Sequence, residues 1–161
     1  MHEQCYRQPT RRCELLIAGE AARSIEAIHV RAEYLARVAL AQEHATLKND
    51  ASATFAAAIA IDSQHQYDLF ASAAVDRVAN ALGTCGRVAE GRALADSLAD
   101  KEHKGLALLG IVSGLAYAGG FDDALTLAHS MPSSGDRALA IGSFASAQTM
   151  AGRITEALAT L

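Results

Sequence analysis

Three glycines in the second half of the chain stand at a constant interval: 119 − 86 and 152 − 119 both give 33 for Gly86, Gly119 and Gly152. Their surroundings repeat as well. Residues 85–92 read CGRVAEGR, residues 118–125 read AGGFDDAL and residues 151–158 read AGRITEAL. A fixed interval of this size marks an array in which each unit is one supersecondary motif that buries its apolar face only against its neighbours.

The residues ahead of each glycine recur at helical spacing. Val75, Val78, Ala79 and Leu82 become Leu108, Ile111, Val112 and Leu115, then Ile141, Phe144, Ala145 and Gln148 one interval later. Such an i, i+3, i+4, i+7 stripe is one face of an amphipathic helix, here termed A. A second helix, B, follows each glycine, with Val88, Phe121 and Ile154 at equivalent places and then the small residues Gly91, Ala124 and Ala157. Small side chains there let B lie close against A. The glycine supplies the positive φ that ends A and reverses the chain.

Spacing and turn signals predict helices over 12–27, 30–47, 53–62, 67–84, 87–98, 102–118, 121–131, 136–150 and 153–161, with a lengthened turn at 48–52. The break near residue 28 is the weakest, and 21–47 also reads as one long helix. The expected organisation is a frayed segment over residues 1–11 and an α-helical repeat domain over 12–161, with clear repeats in 67–161 and degenerate ones in 12–66.

Composition agrees with an all-α reading. Hydrophobic residues make up 51% of the 161 and aromatics only 5%, so the apolar content is mostly Ala, Leu, Ile and Val, and prolines occur only at Pro9 and Pro132. The net charge of −4 lacks the basic surplus that phosphate neutralisation requires, so nucleic acid is not the expected partner. No apolar run is long enough for a membrane span and no secretory h-region opens the chain, which makes a cytoplasmic protein the expectation. Cys5, Cys13 and Cys85 have neither C-x-x-C spacing nor paired histidines beside them, and read as idle thiols of a reducing compartment.

Residues 111–131, IVSGLAYAGGFDDALTLAHSM, resemble the tetratricopeptide and pentatricopeptide superfamily of helix-pair repeats, with Phe121 in the aromatic place of the turn and Ala124 in the small one. The resemblance covers residues 67–161. It implies a right-handed solenoid of stacked antiparallel helix pairs, with A helices on the concave side. The interval of 33 is one short of the tetratricopeptide length, and His103 and Asp136 stand where a proline often ends a unit, so the chain is tetratricopeptide-like. By the same resemblance a pentatricopeptide RNA code would fall on Asp76, Leu109 and Gly142, two of which offer a base no side-chain hydrogen bond. A carboxylate clamp would need cations near Asn80, where Asp76, Ser113 and Ser146 supply none.

No catalytic constellation emerges. The six histidines, His2, His29, His44, His65, His103 and His129, form no H-E-x-x-H and no pair three or four apart, so no metal or other cofactor is expected. Asp122 and Asp123 open a helix, where the dipole stabilises carboxylates, and Gly83-Thr84-Cys85-Gly86 lacks the Gly-Lys-Ser/Thr of a phosphate loop. The expected function is a non-enzymatic scaffold that holds a protein or peptide across the A helices at Asp76, Asn80, Leu109, Ser113, Tyr117, Gly142, Ser146 and Met150. Two rival expectations are a single-stranded RNA-binding module of pentatricopeptide type and a repeat fragment that self-associates through its open C-terminal repeat.

Overall fold

The computed structural model describes residues 10–64 and 71–161. Expectations for residues 1–9, including His2, Cys5 and most of the frayed segment, and for residues 65–70, including His65 and the start of the helix expected from 67, lie outside these. Among the described residues the chain is all-α, without a strand. The helices are α1 (Arg11–Arg23), α2 (Ile28–His44), α3 (Lys48–Gln64), α4 (Ala71–Thr84), α5 (Val88–Ser97), α6 (Lys101–Tyr117), α7 (Phe121–His129), α8 (Ser134–Met150) and α9 (Ile154–Thr160).

Local chemistry sets their ends. Thr10 caps α1 by accepting from the Cys13 amide at 3.2 Å, so α1 starts one residue before the expected 12. Asp100 caps α6 through the amides of Glu102 and His103, both at 2.9 Å, and Ser133 caps α8 through the amide of Asp136 at 3.3 Å. The break between α1 and α2 spans residues 24–27, where Ser24 donates to the Ala21 carbonyl and Arg31 reaches back to the Ile25 carbonyl at 2.6 Å. These bonds satisfy the free ends of two separate helices, and the single long helix does not form.

Even-numbered helices pack side by side in chain order, α2 on α4, α4 on α6 and α6 on α8, with the most extensive contact between α4 and α6. Odd-numbered helices lean on this row: α3 on α2 and α4, α5 on α4 and α6, α7 on α6 and α8, and α9 on α8. The core lies between row and supports. It holds the A-helix stripe, with Val75, Val78, Leu82, Ile111, Val112, Leu115 and Phe144 buried, against Leu94, Leu127 and Met131 from the B side. Each such large side chain removed from water contributes about 1.5–3 kcal/mol.

Gly86, Gly119 and Gly152 occupy equivalent corners, with φ of 70°, 88° and 78°. In each, the amide after the glycine donates to the carbonyl five residues back: Arg87 to Leu82 at 2.9 Å, Gly120 to Leu115 at 2.8 Å and Arg153 to Gln148 at 2.8 Å. This is the 6→1 bond that closes a helix through a left-handed residue. A fourth corner has the same bond, Leu47 to Gln42 at 2.9 Å, but its left-handed residue is Thr46, with φ 62°. No glycine marks this corner in the sequence.

Thr46 also explains why the repeat blurs toward the N-terminus. Phe55 stands 88 − 55 = 33 residues before Val88 and lies under the Arg87 guanidinium as Phe121 lies under Arg153, so the interval persists through the second part of α3, with Phe55 in the place of Val88 and Phe121. The corners Thr46 and Gly86 are instead 86 − 46 = 40 residues apart, and the seven extra residues are helical. The expected lengthened turn at 48–52 is therefore corrected: α3 begins at Lys48, directly behind the corner, with Asp50 placing a carboxylate in its first turn. Arg12 of α1 holds that carboxylate at 3.0 Å.

Candidate functional site

The expected partner-binding residues all lie on the row of A helices, and they divide by seam. Asp76 and Asn80 border the α4–α6 seam. Here glycines bring the two backbones together: a Cβ on Gly110 would fall 2.7 Å from the Asp76 carbonyl oxygen, and one on Gly114 would overlap the Asn80 carbonyl. Across the seam, a Cβ on Gly83 would overlap the Ile111 carbonyl. Burial pushes the half-buried Asp76 carboxyl above its ordinary 3.8, with the Arg77 charge opposing.

Leu109 and Ser113 border the α6–α8 seam. Leu109 is half-buried and packs on the core, while the Ser113 and Ser143 hydroxyls share a hydrogen bond of 2.7 Å. Two of the expected contact residues thus already serve the joint between neighbouring helices. Near the other end of the seam a Cβ on Gly105 would fall 2.6 Å from the Asp136 carboxylate.

Gly142, Ser146 and Met150 lie on the outer flank of α8. All three are exposed, a Cβ on Gly142 would meet nothing within 4 Å, and Met150 is 76% exposed. Tyr117, at the end of α6, is 51% exposed. The eight positions therefore form a series in register along α4, α6 and α8 rather than one enclosed pocket, half-buried at the seams and open on α8.

Two further features are not among the expected site residues. A cleft of about 830 Å³ opens between the α5–α6 and α7–α8 connections, lined by Leu98, Leu108 and Met131 together with Lys101, Glu102 and Asp136. Gly105 in the first turns of α6, a small residue facing Asp136, is the signal that could have found it. The second feature is a polar cluster around Arg87. Its Nη2 donates to Ser52 Oγ at 2.6 Å and lies 3.4 Å from Glu43, its Nη1 pairs with Glu90 at 3.2 Å, and its guanidinium covers the Phe55 ring. Cys85 sits beside this cluster as a free thiol, and burial together with the Glu43 charge pushes it up to about 11.

Among the described residues no group of three His, Cys, Asp or Glu side chains is placed to hold a metal ion. Asp122 and Asp123 lie in the first turn of α7, as their dipole reading requires. Cys13 is disulfide-bonded, which corrects the reading of it as an idle thiol. No helix among the described residues is long and apolar enough to cross a membrane. Comparison with known protein families, with curated proteins and with solved structures finds no match to this chain.

Proposed function

We propose that this chain is a tetratricopeptide-like solenoid acting as a protein–protein interaction scaffold, with a partner peptide or protein lying across the A helices. The observation that supports this best is the ordered row α2–α4–α6–α8, joined by corners of one geometry at Thr46, Gly86, Gly119 and Gly152. A row of this kind presents side chains in register over several helices, which suits an extended or helical ligand better than a small substrate. Along it, Leu109 and Tyr117 offer apolar contact and Asn80 and Ser146 offer hydrogen bonds, with little net charge.

Replacing Leu109 and Tyr117 together with Glu tests this reading. Capture of the native partner from its host, identified by mass spectrometry with the unaltered chain, should be lost with the variant. Undiminished capture by a variant of unchanged helicity sinks the proposal. A cytoplasmic location belongs to the same proposal. Alkylation in freshly lysed host cells tests it: a reducing compartment leaves Cys13 reactive, and a Cys13 that resists labelling until a reductant is added would overturn that location.

A further inference from the structure

The cleft between the α5–α6 and α7–α8 connections holds a carboxylate that has no counterion. Asp136 stands half-buried in the first turn of α8, with its side chain against Gly105 of α6. The three nearest atoms that a Cβ on Gly105 would meet all belong to the Asp136 carboxyl group, at 2.6, 2.9 and 3.3 Å. The glycine thus makes the space in which that group lies. The positive end of α8 favours a carboxylate here, but the Asp136 amide donates to Ser133 Oγ, and among the described residues the carboxylate oxygens have no hydrogen bond and no ion pair. Two lysines line the same cleft without pairing with it. Lys104 pairs with Asp96 at 2.8 Å, and Lys101 is exposed.

We propose that this cleft binds a small primary amine on an apolar body, with the ammonium on Asp136 and the apolar part over Leu98, Leu108 and Met131. The volume of about 830 Å³ is that of a small-molecule site. Its floor is apolar, since Leu98 and Met131 belong to the core and Leu108 packs against it. The charge that internal pairing leaves free in the lining is net negative, Asp136 and Glu102 against Lys101. A half-buried carboxylate gains most from a group that brings both a positive charge and N–H donors.

The lining also narrows the kind of cation. It contains no aromatic ring, so a quaternary ammonium would find neither a π face nor any use for the acceptors of Asp136. The site therefore discriminates an N–H cation from its fully methylated counterpart. Both walls come from consecutive connections inside the array, and none of the eight residues expected to contact a protein partner lines the cleft. Amine binding is thus independent of the scaffold reading and survives its failure.

Titration of the full chain with hexylamine, followed by NMR of the Leu and Met methyl groups, tests this. The expected result is saturable binding that shifts Leu98, Leu108 and Met131, with hexyltrimethylammonium and hexanoate weaker by about tenfold or more. Asp136→Asn keeps the shape and removes the charge, and should weaken hexylamine by about tenfold or more. Gly105→Ala keeps every charge but displaces the carboxyl group, and should weaken it as well. Far-UV circular dichroism should be unchanged in both variants. Absence of saturable binding, equal affinity for the methylated cation, or binding indifferent to both variants would each overturn the proposal. A preference for hexanoate that Lys101→Met abolishes would make this an anion site instead, and would overturn it too.

Discussion

The guanidinium of Arg87 lies over the ring of Phe55, 5.1 Å from its centroid. Two intervals of 33 later, Arg153 lies over Phe121 at 4.5 Å, again across 32 residues of sequence, 87 − 55 and 153 − 121. In both places the arginine directly follows a corner glycine and pairs with a glutamate three residues on, Glu90 or Glu156. These two corners, at Gly86 and Gly152, therefore fasten themselves to the preceding B helix by cation–π attraction, while the glutamate fixes the guanidinium from the other side. The repeat is more than a backbone rhythm, because a specific inter-unit joint recurs with it.

Gly114 is where the two central helices come closest. Alanine in a helix interior is ordinarily favoured over glycine by about 1 kcal/mol. Gly114→Ala should reverse that sign and cost about 1–3 kcal/mol, because the added methyl overlaps the Asn80 carbonyl and forces α4 and α6 apart. Gly142→Ala, with open space around it, should be stabilising. Urea midpoints of both variants check the pair, and loss of stability in neither would remove the close seam.

Thr46 holds a left-handed φ with a β-branched side chain, at the corner where the other three units use glycine. Thr46→Gly should raise stability by about 1 kcal/mol. The reverse change at Gly119, to Ala, should lower it by a similar amount. Thermal melts of the two variants moving in the same direction would contradict the equivalence of these corners.

Gln42 and Gln148 are buried at the positions that Leu82 and Leu115 fill in the inner units. Gln148 Oε1 accepts from the Thr160 hydroxyl at 3.1 Å, but Gln42 Oε1 has no hydrogen-bond partner among the described residues. Gln42→Leu should therefore stabilise the fold by about 1–3 kcal/mol, the penalty of an unmet buried acceptor. Gln148→Leu should gain less, since it leaves the Thr160 hydroxyl to its other acceptor, the Glu156 carbonyl. Equal gains from the two would count against this assignment.

Cys85 should be a slow thiol. Raising its pKa from 9.0 to about 11 leaves about a hundredfold less thiolate at pH 8 than an unperturbed cysteine has. Alkylation by iodoacetamide should rise steeply only above pH 10. Removing the neighbouring negative charge with Glu43→Gln should shift the profile to lower pH. Rapid labelling at neutral pH in the native state would refute the buried setting.

Much of the architecture was legible because its signals are local. The corner glycines declare a positive φ, the 3.6-residue stripe declares a buried face, and small residues at Gly91 and Ala124 declare close approach. Indeed a Cβ on Gly91 would fall 2.8 Å from the Ile111 side chain. The corner at Thr46 was hidden because threonine does not advertise a left-handed conformation, and with it the true start of α3. Ser113 read as a free contact residue because nothing in a sequence shows that Ser143, thirty residues on, turns its hydroxyl toward it. The α4–α6 seam was missed although Gly83, Gly110 and Gly114 were in view, since helix glycines signify contact only once two helices are known to be neighbours.

The seven residues added at the start of α3 carry a rule for how such an array can vary. At 100° per residue they come within about 20° of two full turns, so Phe55 still faces Arg87 after the extension. An insertion of five residues would swing the same ring by about 140° and leave the guanidinium over empty water. Length changes in the supporting helices are thus quantised by helical phase, and the chain grows outward at that rim by whole turns or loses its fastening.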